Sequence, residues 1–102
     1  MVVRESIEIK ASPGEVYSFL ANLNLSGLKV SRKIPETKTV IISSGLSFFS
    51  WGESIEASVQ SSQSGSLVIL RAQGKFQLNI TADPKALSQR VKDALNGRFG
   101  QG

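Results

Sequence analysis

One acidic side chain in this sequence lies within a run of large apolar residues. Glu53 follows Phe49 and Trp51 at two-residue intervals, and Ile55 follows Glu53 at the same interval. If this segment is a strand, the four side chains share one face, because side chains alternate between the two faces of a sheet. A carboxylate on an apolar face must find a partner or lose its charge. Such a group can act as a general base or hold a polar group of a bound molecule.

Two other side chains could complete a site around this carboxylate. Arg71 lies in a later apolar segment and could pair with Glu53, while Tyr17 lies beside an apolar helical stripe and could donate its hydroxyl into the same space. Each residue also has a simpler interpretation. A bulge at Gly52 would turn Glu53 toward solvent, and Tyr17 could lie at the edge of the core with its hydroxyl in water.

The composition excludes several kinds of chemistry. The chain has no histidine and no cysteine, so it contains no Ser-His-Asp triad, no Cys-His dyad, no disulfide and no thiolate or imidazole ligand for a metal. Its glycines match neither the dinucleotide-binding nor the P-loop spacing. The sequence therefore predicts no metal site and no cofactor.

The positive charge is mild and mostly scattered. Twelve Lys and Arg against eight Asp and Glu give a net charge of +4, and the one basic cluster is Lys29, Arg32 and Lys33, which could steer an anionic ligand. A nucleic-acid-binding sheet needs basic residues on its open face. The expected open face carries serines and Glu56 instead, so the sequence argues against nucleic-acid binding.

The elements that must position these residues begin with a strand and a helix. Residues 3–11 alternate between apolar and polar types, which predicts a half-buried strand. Ser12 and Glu15 then form a capping box around Pro13. The apolar stripe of the following helix is Val16, Phe19, Leu20 and Leu23.

The rest of the chain predicts a meander of strands and a final helix. Leu25, Leu28 and Val30 are spaced like a second, short helical turn. The final helix has Asp83 as its cap, Leu87, Val91, Ala94 and Leu95 as its apolar stripe, and Asn96-Gly97 as its stop. The predicted strands lie at residues 37–43, 46–61, 67–72 and 76–80, with a turn at 62–66 and a bulge or short turn at 73–74.

The segment IEIKASPGEVYSFLANL resembles the opening of START-like, or Bet v 1-like, helix-grip domains. These form the SRPBCC group, whose bacterial members include polyketide cyclase and dehydrase-type proteins. FSWGESIEASV and LVILRAQGKFQLNI are compatible with their later strands. The resemblance implies an α+β fold, in which a curved antiparallel sheet packs on a C-terminal helix, here in a shortened form. The β-α-β(4)-α order is shared with TATA-binding-protein-like domains.

The resemblance also implies a function for the apolar space beneath the helix. We expect residues 1–102 to form one cytoplasmic domain that binds a small hydrophobic or amphipathic ligand without catalysis. A cyclase or isomerase using Glu53 is the alternative, and a second copy could pair with an open sheet edge. Phe49 and Trp51 could equally be ordinary core residues. The expected ligand contacts are Tyr17, Leu20, Phe49, Trp51, Glu53, Ile55, Arg71, Leu87 and Val91.

Overall fold

The first strand and helix form where the local signals predict them. The computed structural model describes residues 2–25, 28–44, 53–74 and 84–100, in which β1 is Val2–Ile9 and α1 is Pro13–Ala21. The Ser12 hydroxyl accepts a hydrogen bond from the N–H of Glu15 at 3.3 Å and donates one to the Glu15 carboxylate at 3.2 Å. A side-chain acceptor at this position satisfies one of the free N–H groups of the first turn. The predicted cap is confirmed.

The next segment is a strand, and the predicted short helical turn at Leu25, Leu28 and Val30 is wrong. β2 is Leu28–Ile34, an edge strand that pairs antiparallel with β3, Thr39–Ser44. A 3₁₀ turn at Pro35–Thr37 joins the two strands. The pairing register shifts between Val30 and Arg32, as in a β-bulge, so the side chains of β2 do not alternate regularly.

Two long strands form the centre of the sheet. β4 is Glu53–Ser62 and β5 is Gly65–Gly74, joined by a tight turn. Gly65 has φ +146, and a Cβ there would lie 2.5 Å from the carbonyl oxygen of Ile9, so this position of the turn requires glycine. Gln73 and Gly74, expected in a bulge or turn, continue β5. The remaining predicted strand segments, residues 46–52 and 76–80, lie outside the described residues.

The terminal helix, α2, is Pro84–Phe99 and ends later than its sequence predicts. It continues through Asn96 and Gly97, and the N–H of Gly100 donates to the Asn96 carbonyl at 2.9 Å. Gly100 has φ +63, the left-handed conformation that commonly ends a helix. The Asn96-Gly97 stop is therefore wrong by about one turn, and Arg98 and Phe99 belong to the helix.

The five described strands form one antiparallel sheet in the order β1-β5-β4-β3-β2. Both helices pack on the same face, with α2 against β1, β5 and β4, and α1 against β5, β4 and β3. We call this the inner face and the opposite one the outer face. The fold is α+β, a curved antiparallel sheet that packs on a C-terminal helix, as the resemblance implies.

Candidate ligand-binding site

Four of the predicted contact residues meet in one apolar core between the sheet and the helices. Leu20 of α1, Ile55 of β4, and Leu87 and Val91 of α2 are all buried in this cluster. They come from three elements that lie far apart in the sequence, and the fold brings them together on the inner face. Their burial shows that they belong to the core. That they contact a ligand stays a prediction.

Tyr17 lies at the edge of the same core. Its side chain is half-buried and packs partly against the buried cluster. This agrees with the simpler interpretation of Tyr17, a ring at the margin of the core. A hydroxyl that reaches a bound molecule stays a prediction.

The residues that prompted the site prediction are mostly not described. Phe49 and Trp51 lie outside the described residues. Glu53 is the first residue of β4, where its main chain pairs with Ser44 and Gly74, but its side chain is outside the description. The roles expected for these three side chains stay predictions.

Arg71 has a different position from the one expected. It is exposed between buried Leu70 and Ala72, so it lies on the outer face of β5. Its neighbour in the pairing register of β4 is Glu56, rather than Glu53. A side chain on the outer face does not line the space beneath α2, because alternate residues of a strand lie on opposite faces of the sheet.

A polar cluster on the inner face was not predicted from the sequence. The hydroxyl of Ser88 donates to one carboxylate oxygen of Glu5 at 2.6 Å, and the Lys92 ammonium contacts the other at 2.5 Å. Ser88 is fully buried. Glu5 alternates with Val3 and Ile7 in β1, a signal for its inward position, but its partners come from a helix more than eighty residues later. The cluster joins α2 to the edge of the sheet.

A groove separates α1 from the C-terminal end of α2. It has a volume of about 500 Å³, and its lining residues are Gly14, Glu15, Ser18, Phe19, Asn22, Arg98 and Phe99. The rings of Phe19 and Phe99 meet edge to face, with centroids 5.5 Å apart and planes at 78°. This aromatic pair connects the two helices and gives the groove an apolar surface.

Polar groups lie around this aromatic pair. The Arg98 guanidinium lies 5.0 Å from the centre of the Phe99 ring, a cation–π arrangement. Glu15 lines the groove on α1, and the Asn22 side chain donates to the Ser18 carbonyl at 2.9 Å. Four of the seven lining residues are polar or charged, and the two phenylalanines form the apolar part of the surface. The groove can therefore hold an apolar body and pair with a charged end.

Within the described ranges, the acidic residues form no group of three or more that could hold a metal ion. None of the described helices is both long and apolar enough to cross a membrane. The lining of the groove offers an aromatic surface, hydrogen-bonding groups and one guanidinium.

Comparisons with solved structures identify the fold. No protein-family model matches the sequence, and no curated protein matches it significantly. A major latex protein family member from Arabidopsis thaliana superposes with a TM-score of 0.69 at 11% identity, over 97% of this chain and 91% of that one. A START superfamily protein from Mycobacterium smegmatis gives 0.67 at 10% identity, over 98% and 97%.

A third structure agrees over the full length. The Aha1 dimer from Colwellia psychrerythraea gives a TM-score of 0.64 at 18% identity, over 100% of this chain and 99% of that one. Identities this low establish the fold. The chain has the START-like, Bet v 1-like helix-grip fold that its opening strand and helix resemble.

Proposed function

We propose that this protein binds a small hydrophobic or amphipathic ligand in the groove between α1 and the C-terminal end of α2, and does not transform it. The observation that carries this proposal is the groove itself, about 500 Å³ in volume, with the Phe19–Phe99 pair on its surface. This volume lies within the range of about 300–1,000 Å³ that is common for ligand pockets. The helix-grip fold of its structural neighbours supports the same assignment.

The aromatic pair supplies most of the proposed affinity. Both rings are half-buried, so each retains surface on which an alkyl chain can pack. Burying apolar surface contributes about 25 cal/mol per Å², and one exposed ring side offers tens of Å². An apolar ligand body therefore gains several contacts without any rearrangement of the sheet.

The charged residues that line the groove favour an amphipathic ligand with an acidic end. Arg98 is exposed and its guanidinium lies over Phe99, so a carboxylate can reach it while the apolar body lies against the rings. Glu15 on the opposite helix disfavours a second negative group. A single carboxylate attached to an alkyl chain fits both sides of the groove.

In this proposal the space for the ligand continues from the groove into the apolar core beneath α2. Leu20, Ile55, Leu87 and Val91 belong to the core against which Phe19 and Phe99 pack. Phe49, Trp51 and Glu53 are further proposed contacts. Tyr17, at the edge of the core, is another. A short ligand would use the groove alone, and a longer one would require side chains of the core to move apart.

Binding can be measured with a fluorescent apolar anion. Anilinonaphthalene sulfonate reports occupancy, and laurate and 1-dodecanol compete with it as probes with the same alkyl chain and different ends. Phe99→Ala should weaken both competitors by about tenfold, because both need the aromatic surface. Arg98→Gln should weaken laurate several-fold and leave dodecanol unchanged, because a charge-assisted hydrogen bond forms only with the carboxylate.

Two variants outside the groove serve as matched controls. Leu28→Ala removes another half-buried apolar side chain that packs on the core, and Lys33→Gln removes another exposed positive charge. Both should bind the two competitors like the wild type. If Leu28→Ala weakens binding as much as Phe99→Ala does, the probes bind exposed core surface in general, and the proposed site is wrong.

A further inference from the structure

The outer face of the sheet carries a row of side chains that the proposed function does not use. Consecutive register pairs connect Arg4 of β1 to Arg71 of β5, Arg71 to Glu56 of β4, Glu56 to Ile41 of β3, and Ile41 to Arg32 of β2. The three arginines and Glu56 are exposed, and Ile41 is half-buried. Neighbouring strands lie about 4.8 Å apart, so the row spans roughly 19 Å. We call these five residues the arginine row.

Two of these arginines are direct cross-strand neighbours. Like charges opposite one another in an antiparallel pair are destabilising, so Arg4 beside Arg71 is an unfavourable choice for the sheet alone. Among the described residues, neither guanidinium forms an ion pair with a carboxylate. Arg71 has Glu56 as its neighbour on β4, which offsets part of this repulsion, whereas Arg4 lies on β1 at the edge of the described sheet. An anionic group bound between the two guanidiniums would offset the rest.

A shallow depression lies next to this arginine pair. Its volume is about 340 Å³, and its lining residues are Arg4, Glu5, Ser6, Leu67 and Ile69. Leu67 and Ile69 are half-buried on the outer face of β5 and are not covered by either helix. The outer face therefore offers an apolar surface immediately beside two positive charges.

We infer that the outer face binds an acidic peptide segment of another protein, laid across the strands with one carboxylate at Arg4 and Arg71, a second at Arg32, and an apolar side chain in the depression. The charge order of the row favours this partner over a polyanion. Glu56 lies between Arg71 and Arg32, so a uniformly negative nucleic acid or lipid surface would meet a repelling carboxylate. A second copy of this chain, with its own net charge of +4, would be repelled overall.

The spacing of the row specifies the peptide. Arg71 and Arg32 are three strand intervals apart, roughly 14 Å. An extended peptide rises about 3.3 Å per residue and alternates its side chains, so residues i and i+4 lie on one side about 13 Å apart. The residue between them, i+2, lies above Glu56 and Ile41 and must be uncharged. The expected pattern is an apolar residue, an acidic residue two positions later on the same side, and a second acidic residue four positions after the first.

A defined peptide tests this inference. The probe is a fluorescein-labelled peptide that contains Leu-Ser-Asp-Ser-Ile-Ser-Asp, and its binding to the full chain is followed by fluorescence polarisation at low salt. The comparison peptide replaces both aspartates by asparagine. We expect the acidic peptide to bind at least about tenfold tighter than the amide peptide, because the amide loses both charged contacts.

Charge reversals locate the surface. Arg71→Glu and Arg32→Glu should each weaken the acidic peptide by about tenfold or more. Lys33→Glu is the matched control. Lys33 follows Arg32 in the chain but is the register partner of the buried Val40, so it lies on the inner face. This variant should change the affinity for the peptide by less than about twofold. Arg98→Gln, which should weaken laurate in the groove, should leave the peptide unaffected, so failure of one proposal is distinguishable from failure of the other.

Three results would overturn the inference. The first is equal binding of the acidic and amide peptides, or no binding of either. The second is equal loss of affinity in Arg32→Glu and Lys33→Glu, which would indicate a general charge effect. The third is tighter binding of single-stranded DNA or of phosphatidylserine vesicles than of the peptide, with loss in Arg71→Glu, which would assign the surface to a polyanion.

Discussion

Removal of the Ser88 hydroxyl tests how α2 is held on the sheet. Ser88 is fully buried and donates to Glu5 at 2.6 Å, while Lys92 contacts the other oxygen of the same carboxylate. The variant Ser88→Ala deletes one hydrogen bond and leaves the side-chain volume almost unchanged. Glu5 loses a donor in a position where its side chain is 27% exposed, so water replaces that donor only in part.

The expected loss of stability follows from two opposing effects. A hydrogen bond to a charged group contributes about 1.5–3 kcal/mol. Alanine is the better helix former by roughly 0.5 kcal/mol. Ser88→Ala should therefore lower the free energy of unfolding by about 1–2.5 kcal/mol. Lys92→Met should cost about 1.5–3 kcal/mol, because it removes the positive charge beside a carboxylate that is only 27% exposed.

Urea unfolding at a fixed pH measures both effects. The urea midpoint of Ser88→Ala should fall while the m-value stays unchanged. The stability loss of the double variant Ser88→Ala/Lys92→Met should differ from the sum of the two single losses by about 0.5 kcal/mol or more, because both residues contact Glu5. Gln89→Ala, in the same turn, loses only an exposed contact to Asp93 and should stay within about 0.5 kcal/mol of the wild type. If Ser88→Ala is as stable as the wild type, the cluster does not hold the helix.

Three further substitutions test the fold that positions the site. Gly65→Ala should lower the free energy of unfolding by at least about 2 kcal/mol, since its Cβ would lie 2.5 Å from the Ile9 carbonyl; an unchanged thermal midpoint would contradict the turn geometry. Ser12→Ala should lower the free energy of unfolding by about 1 kcal/mol, because it removes the α1 cap; urea unfolding measures this. A loss no larger than that of Ser18→Ala would argue against the cap. Leu95→Ala should lower the free energy of unfolding by about 2–5 kcal/mol, since Leu95 is fully buried. Calorimetry would check this, and a loss below about 1 kcal/mol would show that α2 is not packed as described.

Local signals in the sequence predicted the beginning of the fold well. The alternation in β1 and the Ser12–Glu15 cap are complete within a few residues, so their consequences do not depend on distant contacts. The edge strand β2 was missed for the opposite reason. An edge strand has one neighbour and buries little, and the register shift after Val30 breaks the alternation that identifies a strand.

The candidate site was harder to predict than the fold. Asn96-Gly97 is a usual helix stop and predicts that Phe99 lies beyond the helix. The helix instead continues for about one more turn, and Phe99 packs against Phe19. The groove combines residues from the two ends of the chain, and no local pattern relates them. The sequence predicts Arg71 as a ligand contact and a partner of Glu53, whereas its exposure between buried Leu70 and Ala72 places it on the outer face.

The most direct test of ligand binding is a laurate titration followed by two-dimensional NMR of the ¹⁵N-labelled protein. Each amide reports contact at its own residue, so the spectrum locates the ligand without any substitution. Binding in the groove predicts the largest shift changes at Ser18, Phe19, Asn22, Arg98 and Phe99. Shift changes confined to the outer face, at Leu67 and Ile69, or no change at millimolar laurate, would contradict the proposed function.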